Sequence, residues 1–173
     1  MRTPRHHPLG LLLALALPIA IAACAPAPIY KTGPSSVAAT PAQVATAPQN
    51  FQGIEVVWGG TVVSVQNRAE HTNIEVLAYP LDSSQRPRLN QPAIGRFVAV
   101  VSGFVEPLNF PPGSPITLRG TLDGARGGMV GDANYTFPLV HSQAMHRWTP
   151  EEMRQGHPNI SFGVGVGVGG RIR

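Results

Sequence analysis

The chain has 173 residues, with 13 Lys and Arg against 9 Asp and Glu, a formal charge of +4 at pH 7. The basic residues form no block, so charge gives no support for a nucleic-acid partner. Nineteen glycines and eighteen prolines beside 43% hydrophobic residues point to an all-β chain rich in turns.

In chain order, positive charge at Arg2 and Arg5 is followed by a stretch from Leu9 to Ala23 that is nearly all apolar or small, broken by Pro18. That is the layout of an export signal. The run is shorter than the roughly 20 residues a spanning helix needs, and Pro18 would disturb a helix held in lipid, so removal of residues 1–23 is expected. The run ends in Ile21-Ala22-Ala23-Cys24. This tetrad resembles the lipobox of bacterial lipoproteins, in which the cysteine sulfur receives a diacylglycerol before cleavage makes it the N-terminus. Cys24 is the only cysteine and could form no disulfide within its chain in an oxidising compartment. The same resemblance implies outer-membrane delivery, because Ala25 rather than aspartate follows the cysteine, and several acyl chains make a stable anchor. The remaining 150 residues suit one domain and carry 11 Lys and Arg against 9 acids, a formal charge of +2.

Residues 24–50 are rich in Ala, Pro, Thr, Ser and Gln, which predicts a lipidated N-terminus followed by a flexible linker spanning roughly 30 Å. The folded part is expected over residues 51–156. Glu55 to Asn67 reads as a β-branched strand interrupted by Gly59-Gly60, where a bend or bulge would let it pair in two directions. Thr72 to Tyr79 alternates, with Ile74, Val76 and Ala78 on one face, and ends at Pro80 and the turn-rich Asp82 to Asn90. Arg96 to Val105 is nearly continuous in apolar residues, as a strand covered on both faces would be. Four prolines make Glu106 to Pro115 a loop. Ile116 to Asp123 alternates again, Asp123-Gly124 reads as a turn into Gly127 to Val130, and Tyr135 to Val140 supplies a fifth strand or strand pair. Thr149-Pro150-Glu151-Glu152 carries a capping signature and predicts a short helix ending at Gly156. The architecture expected is a small OB-like barrel of five to six antiparallel strands with one short C-terminal helix.

Few motifs carry chemistry. Gly124 to Gly131 lacks the Gly-Lys-Ser/Thr ending of a phosphate loop and reads as a hairpin turn. His141 and His146 are five apart, which in an extended segment puts them on opposite faces, and no third ligand adjoins them, so no metal site is expected. No nucleophile motif occurs and the carboxylates are scattered, so neither an enzyme nor a cofactor is implied. Ser161 to Gly170 alternates glycine with valine and is expected to form a flexible tail over residues 157–173. A membrane or partner contact through Val164, Val166, Val168, Arg171 and Arg173 is its sharper reading.

Val57-Trp58-Gly59-Gly60, Glu75-Val76-Leu77-Ala78-Tyr79-Pro80-Leu81-Asp82, Arg86-Pro87, Gly95-Arg96-Phe97 and Gly103-Phe104 occur in this order, followed by Pro112-Gly113, Gly120 to Gly124 and Tyr135 to Pro138 to Trp148. Together with the lipobox, this series resembles the Slp family of starvation-inducible outer-membrane lipoproteins, over roughly Val56 to Trp148. The resemblance implies a lipid-anchored protein of a Gram-negative envelope, on the periplasmic face, linked to stationary phase or stress; it supplies no reaction. The leading functional expectation is a non-enzymatic protein that stabilises the envelope or docks a partner there, with outer-membrane lipid held through acylated Cys24. The alternative is a module binding an oligosaccharide or peptidoglycan fragment on the barrel face. Trp58, Tyr79 and Tyr135 are candidate surface aromatics for such a ligand, against a plain role in the core. Exposed aromatics beside polar groups would favour the binding module.

Overall fold

The computed structural model describes residues 27–33 and 36–154. The stretch expected to be an export signal, the tetrad ending in Cys24 and the Gly-Val tail therefore lie outside the described residues. Helix α1 spans Pro41–Thr46, and strands β1 to β5 span Glu55–Asn67, His71–Ala78, Gly95–Ser102, Pro115–Val130 and Ala133–Arg147; helix α2 spans Pro150–Arg154. The strands close a barrel in the order β1-β2-β3-β5-β4. Four of the five ladders are antiparallel, and closure is made by a short parallel contact of Val98–Val100 with Leu139–His141. The barrel is thus OB-like and all-β, but not wholly antiparallel.

Period-two alternation builds the interior. Ile74, Val76 and Ala78 of β2, Phe97 and Ala99 of β3, and Ile116, Leu118 and Leu122 of β4 are all buried in one cluster with Val56, Trp58 and Val62 of β1. At Phe97, Val98 and Ala99 consecutive side chains are all fully buried, the expected signature of a strand covered on both faces. Val98 and Phe137 are buried outside that cluster. On the outer surface Arg126 stacks on the Phe137 ring at 5.3 Å and Tyr135 tilts against it at 4.8 Å.

The β4–β5 hairpin is longer than its sequence suggests. Asp123-Gly124 is not the turn. The ladder slips between Leu122 and Ala125, where Gly124 has φ +73°, and pairing then runs on to Val130 opposite Ala133. The chain reverses at Gly131-Asp132, with Gly131 at φ +58°. A bulge there and a turn at Asp123-Gly124 share one sequence signal, a glycine able to adopt positive φ.

The expected bend in β1 is present. Glu55 to Thr61 pairs with β4 and Gly60 to Asn67 with β2, so Gly60 and Thr61 have partners on both sides. Neither Gly59 nor Gly60 takes the positive φ that a bulge there would allow, and the register slip falls later, between Val62 and Ser64.

The segment expected to be a linker takes part in the fold over residues 30–33 and 36–50. Thr40 caps α1 reciprocally, its Oγ1 accepting from the Gln43 amide at 3.2 Å while its own amide donates to Gln43 Oε1 at 2.8 Å. Val44 is fully buried in the barrel cluster, and the Ala42 amide donates to the Ile94 carbonyl at 3.2 Å. Gly95, at φ +124°, seats the helix: a Cβ there would lie 2.6 Å from the Ala42 nitrogen. Composition alone misreads this stretch because a six-residue helix gains its stability from one docked face, not from periodicity.

Candidate functional site

The three candidate aromatics are not brought together. Trp58 is a core residue, 5% exposed, tilted against Phe97 at 5.2 Å, with its Nε1 donating to the Ala39 carbonyl at 2.8 Å. Tyr79 is half-buried beside the N-terminal segment, in a cavity also lined by Val37, Ala38 and Ile94. Tyr135 is half-buried on the hairpin and its hydroxyl accepts from the Arg96 amide at 2.8 Å. Each hydrophobic body is used for packing, and the polar tips of Trp58 and Tyr135 find partners, as buried aromatics require.

The two histidines also sit differently from their spacing. His141 pairs with Thr121 and His146 with Thr117, two residues on the same outward row of β4, because a register slip near Gln143 adds one residue between them. His141 Nε2 lies 3.0 Å from Asp123 Oδ2 at an exposed position. His146 stacks edge-on with Trp148 at 4.5 Å and approaches Glu152 Oε1 at 3.2 Å, without hydrogen-bond geometry. Among the described residues no three His, Cys, Asp or Glu converge to hold a metal.

What the folded sheet does assemble is a groove of about 390 Å³ on the outer face of β2, β3 and β5, lined by Glu70, His71, Asn73, Val100, Ser102, Arg126, Leu139 and His141. Cross-strand register explains the set: His71 faces Ser102, and Asn73, Val100 and His141 share one row across three strands. Arg126 reaches it from the hairpin that carries Phe137. Imidazole, guanidinium, carboxylate, amide and hydroxyl groups thus surround an aliphatic floor, an arrangement suited to hydrogen-bonded binding.

The loop that follows Ser102, at one end of the groove, is held by hydrogen bonds and leaves apolar residues exposed. Thr72 Oγ1 donates to the Gly103 carbonyl at 2.8 Å and accepts from the Val105 amide at 3.1 Å, while Asn67 Nδ2 donates to the Val105 carbonyl at 3.1 Å. Val105 and Phe110 pack against the barrel core, yet Phe104 is 71% and Leu108 85% exposed. These residues were not singled out as a site by the sequence. Their signal is the polar pair Asn67 and Thr72 at strand ends, too generic to be read alone.

On the outer face of β4, Thr117 is nonetheless buried: its Oγ1 accepts from Trp148 Nε1 at 2.9 Å and donates to the Gln85 carbonyl at 2.6 Å. Tyr30 joins this cluster through a near-limit 3.5 Å contact from its hydroxyl to the Thr117 carbonyl, and burial raises its pKa against the opposing effect of Arg119. Arg86 is buried in the β2–β3 loop, with Nε on Asp82 Oδ2 at 2.9 Å and Nη1 donating to the Glu152 carbonyl at 2.8 Å.

The helix expected after Thr149 is present over Pro150–Arg154, and its expected end at Gly156 lies outside the described residues. The Thr149 amide donates to Glu152 Oε2 at 2.7 Å, and this bond is the main reason the Glu152 carboxyl lies below its ordinary range. A lowered folded pKa contributes stability above the unfolded value, which is lost as pH falls through the folded one. Acidification below the ordinary glutamate range is therefore expected to unfasten α2 before the barrel. The protection of the Met153 amide, which donates to the Thr149 carbonyl, against hydrogen exchange should fall there relative to its intrinsic rate at the same pH, while that of Val76 is kept. Simultaneous loss of both would contradict local release.

Comparison with known proteins follows the same outline. The model of the "Outer membrane lipoprotein Slp family" matches residues 21–165. The chain is 40% identical over 106 residues to the uncharacterized lipoprotein YeaY of Escherichia coli K12, covering 61% of this chain and 54% of that one. It is 38% identical over 92 residues to an uncharacterized protein of Haemophilus influenzae, covering 53% and 50%. These two matches span about half the length of each relative. To the outer membrane protein Slp of E. coli K12 it is 29% identical over 157 residues, covering 89% and 83%. Among solved structures it is similar to a small single-stranded DNA-binding protein from Streptomyces coelicolor, at 12% identity and a TM-score of 0.35, covering 58% of this chain and 98% of that one. That overlap is too loose to speak to ligand. Since the family pattern runs from Ile21, at the head of the tetrad ending in Cys24, through all five strands of the barrel, this chain belongs to the Slp family of outer membrane lipoproteins.

Proposed function

We propose that the chain is a non-enzymatic envelope protein, anchored in the outer membrane through acylated Cys24, facing the periplasm, and serving under starvation or stress to dock a protein partner. The observation that carries this reading is the pairing of the polar groove with the apolar loop at its end: Phe104 is 71% exposed two residues from Ser102, on a loop fixed by Thr72 and Asn67. A large apolar side chain held rigidly in water at the edge of a polar groove suits an interface anchor, because little entropy is lost when it is covered. The aromatics that would stack on a sugar are instead drawn into packing.

Photo-crosslinking in intact cells tests this. A crosslinker at Phe104 or Asn73 should yield one discrete adduct with an envelope protein, and one at Asn134 on the hairpin tip should not. Adducts of equal yield at all three positions would sink the docking reading. The second reading, a peptidoglycan fragment in the groove, is favoured by the groove volume, which falls within the range of small-molecule sites. Shifts of the Asn73 and His141 NMR signals on titration with muropeptides would support it.

A further inference from the structure

The same anchor, taken with the folded N-terminal segment, fixes which side of the barrel faces lipid. Tyr30 is clasped to the β2–β3 loop by two bonds: its amide donates to Gln85 Oε1 at 2.8 Å, and Gln85 Nε2 donates to the Tyr30 carbonyl at 2.9 Å. Its hydroxyl approaches the Thr117 carbonyl, and further on Gly33 donates to Glu55 Oε1 at 3.3 Å and Ser36 bridges Glu55. Between Cys24 and this clasp lie only the residues Ala25 to Ile29. Even fully extended, the six steps from Cys24 to Tyr30 reach about 20 Å. That is smaller than the diameter of a compact domain of this size, so the barrel cannot turn freely beneath its anchor.

We infer that the barrel rides on the bilayer surface with its Tyr30–Gln85 side toward the lipid, and that this side is a contact surface for anionic phospholipid headgroups. The residues there fit. Ile29 is 39% and Leu89 42% exposed, Lys31 and Arg88 are exposed cations, and Asp82, the acid of this loop, is taken up by Arg86. Apolar side chains beside cations that have no ion-pair partner among the described residues are what an interfacial surface requires. Ser83 and Asn90 to Ala93 add no charge to the exposed part of the loop.

This inference rests on the acylation of Cys24, so the experiment uses the acylated full chain in vesicles of phosphatidylethanolamine and phosphatidylglycerol. With Cys24 blocked by its lipid, a single fluorophore is placed at Ser83→Cys or at Asn134→Cys; both sites are exposed, and Asn134 pairs with Met129 at the hairpin end remote from Thr117. A spin-labelled headgroup lipid should quench the Ser83 probe several-fold more than the Asn134 probe. Adding Gln85→Ala, which removes both bonds to Tyr30, should shrink that contrast, as should replacing phosphatidylglycerol by phosphatidylcholine. Equal quenching at the two sites on a chain whose mass confirms the acyl groups would overturn the orientation alone. A Cys24 peptide without acyl mass would overturn the anchor and the orientation with it.

Discussion

Alanine at Gly60 is expected to cost the barrel about 3 kcal/mol or more, and valine to prevent folding. A Cβ at this position would lie 1.9 Å from the Leu77 carbonyl oxygen and 2.7 Å from its carbon, both backbone atoms of the paired strand. Neither atom can rotate away, so relief requires pulling β1 from β2 at the point where β1 also pairs with β4. Gly59 is tight for the same reason, with Thr117 Oγ1 at 2.6 Å and the Ile116 carbonyl at 2.7 Å. The control is Gly127, where a Cβ would meet nothing within 4 Å and alanine should be neutral or slightly stabilising. Denaturant midpoints of the domain without its lipid decide between close approach and a merely flexible bend. A Gly60→Ala change within about 0.5 kcal/mol of the parent would reject close approach.

Removing the residues before Gln49 is expected to have a comparable effect. The strand pattern lies wholly downstream, so on sequence alone a chain starting there should fold unaided. The structure predicts otherwise, because Val44 and Pro41 are buried, Val44 against the barrel core, and Ala39 accepts the Trp58 indole proton. Burial of a valine accounts for about 1.5–3 kcal/mol, and the stranded indole N–H and the exposed Pro41 site add about 1–3 kcal/mol. A chain starting at Gln49 should thus melt roughly 10–30 °C below one starting at Ala27. Coincident melting curves, followed by circular dichroism, would return the segment to the status of a linker.

The parts of this fold legible in the sequence are those written in local periodicity. Alternation in Thr72 to Ala78 and Ile116 to Leu122, the unbroken apolar run at Phe97 to Val101, and the glycine pair in β1 gave the strands, their faces and the bend. The Thr149 cap is legible in the sequence, whereas Thr40-Pro41-Ala42-Gln43 carries the same signature hidden within an Ala- and Pro-rich stretch. What stayed hidden depends on pairing between distant residues. The groove needs β2, β3 and β5 in register, the clasp needs Tyr30 beside Gln85, and the common face of His141 and His146 needs a slip that no spacing announces. Trp58 shows the limit from the other side: a tryptophan in a strand is equally compatible with core and surface until its indole partner is known.

Everything proposed about location depends on the thiol of Cys24. Cells grown with a labelled fatty acid, expressing either the parent chain or Cys24→Ser, test it directly, since serine offers no thiolate to alkylate. The label should travel with the parent protein into the outer-membrane fraction and be absent from the serine variant, which should persist at precursor mass. Label on the serine variant, or none on the parent, would contradict the lipid anchor.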